Sequence, residues 1–200
     1  MDLVIGSDGL ARCRWAGGTA DYLAYHDVEW GRPVRSDDGL FERLTLEGFQ
    51  SGLSWLTILR KRPAFRAAFD DFAIEKVAAY GEADVARLSE DAGIVRNRAK
   101  INATINNARA ALDLPDGLAA LLWSYAPAKG GPRPRSFTEV PASTPESTAM
   151  AKDLRKRGFR FIGPTTAYAL MQATGMVDDH LADCHVALNQ RLTETAGDAR

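Results

Sequence analysis

The chain has 200 residues, enough for one domain, or two closely packed lobes, with a sizeable core. Hydrophobic residues make up 46% and charged residues 26%, which excludes a disordered chain, and a formal net charge of −1 removes any global basic excess that would announce a nucleic acid or a membrane. No apolar run approaches the roughly 18 residues of a membrane span, the first residues lack a basic apolar leader, and Cys13 and Cys184 are the only cysteines, so the expectation is a cytoplasmic chain without a disulfide framework.

Helical periodicity dominates and strand-like alternation is nearly absent. From Ser36-Asp37-Asp38, apolar residues recur at Leu40, Leu44, Phe49, Leu53, Leu56 and Leu59 until Pro63, which predicts one long helix or two consecutive ones. Shorter helices fit 64–72, 74–80, 84–91 and 116–125. A further stripe, Ile94, Ile101, Ile105, Ala108 and Leu112, follows Gly93 and places Arg96, Arg98, Lys100 and Arg109 off the apolar face. The stretch 126–145 holds five prolines and a Gly-Gly pair and reads as a loop or lobe connection. A helix then starts at Ser143 or Thr144 and runs to Gly158, and another starts at Pro164. Between them lies Gly158-Phe159-Arg160-Phe161-Ile162-Gly163, flanked by five basic residues against one acidic residue. The fold class is mostly α.

Four residue groups carry possible chemistry. Both cysteines are paired with histidines, Cys13 with His26 and, at i and i+4, His180 with Cys184. Two thiolates and two imidazoles suit a closed tetrahedral zinc shell that ties the N-terminal region to the C-terminal one. Spacing alone leaves this level with the plainer reading of small core cysteines and hydrogen-bonding histidines. His185 is a weaker ligand candidate, because its side chain diverges from that of Cys184 on a helix. Trp15, Tyr22, Tyr25 and Trp30 cluster around Cys13 and His26, with Trp55 further on; rings at this density are usually core, yet they would also stack a flat, cationic ligand. Glu47 sits between them in the chain, with Gly48 and Gly52 thinning the helix surface so that a ligand could approach, although the segment standing alone reads as a solvated helix glutamate. The basic turn at 158–163 can aim backbone N–H groups and a helix N-terminus at a phosphate, or be a solvated helical hairpin.

Taken together, Arg12-Cys13-Arg14-Trp15, Tyr25-His26-Asp27-Val28-Glu29-Trp30-Gly31, Leu46-Glu47-Gly48-Phe49-Gln50-Ser51-Gly52-Leu53-Ser54-Trp55, Arg157-Gly158-Phe159-Arg160-Phe161-Ile162-Gly163 and Asp179-His180-Leu181-Ala182-Asp183-Cys184 resemble the type I DNA-3-methyladenine glycosylases of the helix-hairpin-helix superfamily. The resemblance implies that fold over residues 12–190, in one domain of one or two packed helical lobes, with 1–11 as an N-terminal extension and 191–200 as a C-terminal tail. It implies monofunctional excision of 3-methyladenine from alkylated double-stranded DNA by a monomer, with no membrane partner. Cys13, His26, His180 and Cys184 correspond to ligands of a structural zinc ion, and Glu47 to the carboxylate that meets the flipped base and serves catalysis. Tyr25 corresponds to a polar contact to that base, Trp15, Tyr22 and Trp55 to its aromatic walls, and Leu53 to the wedge filling the space it leaves. Arg157, Gly158, Arg160 and Gly163 correspond to the DNA-binding turn. Asp178 stands near the place where other superfamily members carry a catalytic aspartate, or it caps a helix. Two rival classes remain: a non-catalytic, zinc-stabilised helix-hairpin-helix DNA-binding module, which would not need Glu47 beside a ring-lined pocket, and a zinc hydrolase, which would need an open coordination position.

Overall fold

The computed structural model describes residues 2–128 and 130–187. Most of the chain is helical. It begins with a small antiparallel pair, β1 (Leu3–Ile5) and β2 (Ala11–Cys13), in the register Leu3 opposite Cys13. The sequence reading missed these strands, because three residues each are too few for alternation to be seen. Asp8 and Gly9, with φ at 78° for the glycine, close the turn between them. The N-terminal segment is thus built into the fold, and the tail at 191–200 lies outside the described residues.

Nine α-helices follow among the described residues: α1 (Ala20–Val28), α2 (Asp37–Gln50), α3 (Trp55–Ala68), α4 (Ile74–Ala78), α5 (Glu82–Glu90), α6 (Arg98–Leu112), α7 (Gly117–Trp123), α8 (Pro145–Lys156) and α9 (Pro164–Ala173). Side-chain caps set several starts: Ser36 accepts from Gly39 N, Ser54 from Thr57 N, Asn97 from Lys100 N and Thr144 from Ser147 N. The apolar stripe from Ser36 is therefore two helices, broken at 51–54, where Gly52 takes a φ of 85°. Pro63 does not stop the second. It lies inside α3, since the stripe continues through Ile58, Leu59 and Phe65, all buried, and that burial outweighs the lost backbone bond. The helix expected at 64–72 is thus the end of α3, followed by a left-handed turn at 70–72 with φ values of 51°, 54° and 58°. The α6 helix begins at its Asn97 cap and not after Gly93.

Helix α2 is central, packed on α3, α6, α7 and α9. Phe41, Phe49, Phe65, Phe69 and Phe72 form a connected set of rings in the main core, which also takes in residues of α4, α5, α6, α8 and α9. A second, small core surrounds Cys13 and Cys184 with Leu181 and Val186. Lys100, expected off the apolar face, is buried: its Nζ donates to the carbonyls of Phe49 at 2.9 Å and Ser51 at 2.8 Å, closing the C-terminal end of α2. No helix among the described residues is long and apolar enough to cross a membrane.

Candidate functional site

A cavity of about 230 Å³ opens where the first helices meet α9. Trp15 enters from the short helical turn at Arg14–Gly18, Tyr22 and Tyr25 from α1, Trp30 from just beyond it, Glu47 and Gln50 from α2, Trp55 from the first position of α3, and Ala169 and Gln172 from α9. The rings brace one another. Trp15 meets Tyr22 edge-on at 5.7 Å between centroids and Trp30 at 5.1 Å, while Tyr25 lies 5.5 Å from Trp55. The Tyr22 hydroxyl accepts from Leu56 N at 3.0 Å, which leaves its own proton to donate. Trp55 Nε1 is a buried donor with no hydrogen-bond partner among the described residues. Leu53 does not line the cavity. It stands 41% exposed in the loop between the two lining residues Gln50 and Trp55.

Glu47 is the electrostatic centre of this cavity. Only 7% of it is exposed, and burial pushes its carboxyl up to about 8, against a lesser downward pull from Arg43. Arg43 lies one helical turn earlier on α2, close enough in principle to neutralise it. Its Nη2 instead donates to Glu29 at 3.2 Å, and Glu29 is held by Arg62 through two bonds of 2.6 and 2.7 Å. Burial and the nearby Glu47 also raise the Tyr25 phenol, which stays a donor. Glu29 and Arg62 were not assigned by sequence reasoning. The only hint was that Glu29 lies inside the His26–Trp30 segment.

Directly behind the rings, Cys13, His26, His180 and Cys184 are all buried, and their ligand atoms lie within 4.8 Å of one another. Cys184 Sγ is 3.5 Å from His26 Nε2 and 3.7 Å from His180 Nδ1. Ligands about 2.3 and 2.05 Å from a tetrahedral zinc ion would stand roughly 3.6 Å apart, so the group fits such a metal. Each imidazole spends its outer nitrogen elsewhere: His26 Nδ1 on Asp27 at 2.8 Å, and His180 Nε2 on the Trp30 carbonyl at 3.1 Å. That leaves the inner nitrogens as lone pairs aimed at the centre. The hydrogen bond with Cys13 and those with the two imidazoles draw the Cys184 thiol down, whereas Cys184 and burial hold the Cys13 thiol up. His185 turns to Asp27 at 2.9 Å. Burial would raise the Asp27 carboxyl, but Arg12, His26 and His185 together hold it well below the usual range. Arg12 and Asp27, each adjacent to a cysteine or histidine of the group, are the supports that sequence reasoning left unassigned.

The turn between α8 and α9 places Arg155, Arg160, Phe161 and Gly163 around a shallow groove. Gly158 takes a φ of 90°, and Gly163 is the N-terminal cap residue of α9, with no side-chain cap bond. Arg157 lies at the end of α8, with its Nε 3.2 Å from Asp153. Asp178 does not reach the cavity lining. Its carboxylate is buried against Arg133 at 2.8 Å and caps His180 N at 3.3 Å, which makes it a brace for the loop that carries His180 and Cys184.

The methyladenine glycosylase family model matches residues 15–187. DNA-3-methyladenine glycosylase 1 of Escherichia coli is 45% identical over 88% of this chain and 96% of its own length. The Haemophilus influenzae DNA-3-methyladenine glycosylase is 43% identical over 86% and 96%. A solved structure of the Staphylococcus aureus 3-methyladenine DNA glycosylase I, described for its recognition of 3-methyladenine, superposes with a TM-score of 0.83 at 36% identity, covering 88% of this chain and 95% of that one.

The raised Glu47 carboxyl has a thermodynamic signature. Between its ordinary 4.5 and about 8 the folded chain holds a proton that the unfolded chain releases, so stability falls as pH rises through that window. The Glu47→Gln variant never ionises. Urea melts should find it as stable as the wild type near pH 4, and more stable above pH 8 by up to a few kcal/mol. Equal stability at both ends would mean that Glu47 is not desolvated as described.

Proposed function

The chain belongs to the methyladenine glycosylase family, and from that membership we propose that it releases 3-methyladenine from alkylated DNA by hydrolysing the N-glycosidic bond. The observation that carries the reading is one cavity in which Trp15, Tyr22, Tyr25 and Trp55 surround a buried carboxyl with no cation at hydrogen-bond distance among the described residues. A DNA-binding module without chemistry has no use for such a costly carboxyl.

The chemistry follows from the substrate. A base stacked in a duplex cannot enter a cavity this deep, so it must rotate out, at a cost of about a few kcal/mol that methylation lowers by spoiling its pairing. Leu53, exposed in the loop that joins the lining residues Gln50 and Trp55, would take the vacated space. Methylation at N3 makes the nucleoside cationic, so rings and the Glu47 carboxylate favour it over neutral adenine. Arrival of that cation draws Glu47 into its ionised form. The glycosidic electron pair then stays with the base, which leaves neutral, while water adds to the sugar carbon and loses a proton to give the abasic site. A leaving group already cationic needs little acid assistance, so selection is the main task of the pocket. Asp178, occupied by Arg133, acts as a structural brace on this reading.

The fold is read as the helix-hairpin-helix type, one domain acting as a monomer on double-stranded DNA in the cytoplasm. Arg157, Gly158, Arg160 and Gly163 would meet phosphate there: the glycines let the strand approach backbone N–H groups, and the arginines supply counter-charge. Cys13, His26, His180 and Cys184 would hold zinc in a closed shell, so the ion would supply cross-linking and no open position for a hydrolase.

Three measurements test this. Chromatography of dimethyl sulfate-treated duplex should show 3-methyladenine released, strongly reduced in Glu47→Gln and Trp55→Ala and only modestly in Asp178→Asn; collapse in Asp178→Asn with near-normal Glu47→Gln would reverse the assignment. The purified protein should carry about one equivalent of zinc, lost in Cys184→Ala together with several degrees of melting temperature. Neutralising Arg155, Lys156, Arg157 and Arg160 should weaken binding to all sequences alike and flatten its salt dependence by about one unit of slope per phosphate contact removed. An unaltered slope would put the DNA face elsewhere.

A further inference from the structure

Phe161 holds a backbone conformation that a bulky side chain rarely adopts. Its φ is 60°, in the left-handed region that strains a residue with a bulky side chain. Its ring is 51% exposed, whereas its neighbours Phe159 and Ile162 are buried and anchor the turn. Neither local strain nor an exposed ring stabilises the molecule. Both persist because α6 grips the chain beside them. Asn107, itself buried, accepts from the Arg160 N–H at 2.8 Å and donates to the Arg160 carbonyl at 3.0 Å, while Asn106 donates to the Gly158 carbonyl at 2.7 Å.

The place of that ring is informative. A Cβ on Gly48 would lie 3.8 Å from the Phe161 carbonyl oxygen, so the turn abuts α2 one residue from Glu47. Phe161 shares its groove with Arg155 and Arg160, and residues 154–164 include four cations and no carboxylate. A protruding ring in a basic setting, on a turn that abuts the helix carrying Glu47, suits the apolar face of a deoxyribose, whose phosphates the cations would hold. Resting on the glycosylase reading, we propose that Phe161 is a DNA-contact residue that packs on a sugar beside the extruded nucleotide, and that Asn107 is the positioning residue that keeps it presented.

Phe161→Gly tests this with a split that a structural residue would not give. Glycine removes the strain, so the melting temperature should hold or rise. Affinity for a duplex carrying a tetrahydrofuran abasic analogue should fall about tenfold, the equivalent of 1.4 kcal/mol. The salt slope should not change, because an apolar contact releases no counterions. Binding of free 3-methyladenine, followed by tryptophan fluorescence, should be unaffected. Duplex affinity equal to that of the wild type would overturn the proposal. Asn107→Ala, or Asn107→Asp if the alanine variant does not fold, should weaken duplex binding in the wild type but add little in the Phe161→Gly background; additive losses would overturn the positioning role. Wild-type protein that binds the duplex but frees no 3-methyladenine from methylated DNA would sink the glycosylase reading and leave the Phe161 contact standing.

Discussion

A carboxyl group buried among aromatic rings, with its natural counter-charge held away, is the constraint around which this site is arranged. Left alone, Arg43 would pair with Glu47 one turn further along α2 and the cavity would be electrically satisfied. Glu29 prevents this: it is gripped by Arg62 through two short bonds and takes Arg43 as well. The segment after α1 therefore does two things. It supplies Trp30 to the wall, and it supplies the competing carboxylate that keeps Glu47 unsatisfied. The resulting instability is borne by the phenylalanine core around α2 and α3, which is fully buried. The buried carboxyl and the core that offsets its cost thus share one helix.

The rings transmit this arrangement to the cysteine and histidine group. Trp15 meets His26 edge-on at 5.1 Å, and Trp30 meets His180 at 4.7 Å. The walls of the cavity are thereby seated on the residues whose inner nitrogens and sulfurs converge behind it. Asp27 completes the support by receiving Arg12, His26 and His185 at once, so that β2, α1 and the last described loop meet at one carboxylate. The cavity rings meet edge-on or tilted, so each braces its neighbour, and this shared foundation fixes where their faces stand.

Much of this was legible in the residues themselves. The helical stripes, the caps at Ser36 and Thr144, the pairing of both cysteines with histidines and the rings near Glu47 are local patterns, and local patterns survive into the structure. What escaped was set by distant partners. Lys100 looks solvated on a helical wheel, yet it closes α2 from across the core. Pro63 looks like a stop, but tertiary packing of Phe65 carries the helix past it. The three-residue strands are too short to show a period. Glu29 carries no mark of its hold on Arg43, and for Asp178 the residues alone left a catalytic carboxylate and a cap side by side, with no sign of the Arg133 that it meets. The misses at Lys100 and Glu29 share one cause: each is a polar group whose partners lie far along the chain.

The separation of the two halves of the cysteine and histidine group also governs when the site can exist. His26 and Cys184 stand 158 positions apart, so closing that loop carries a large entropic cost that local helix formation does not share. The helices of the main core can form and pack early from contacts between near neighbours. The walls of the cavity rest on histidines that cannot meet until the loop at 178–186 has docked. Newly made chains should therefore pass through a state with an assembled core, unmatched thiols and no selective pocket, in which oxidation of Cys13 or Cys184 would trap a folded but inert protein.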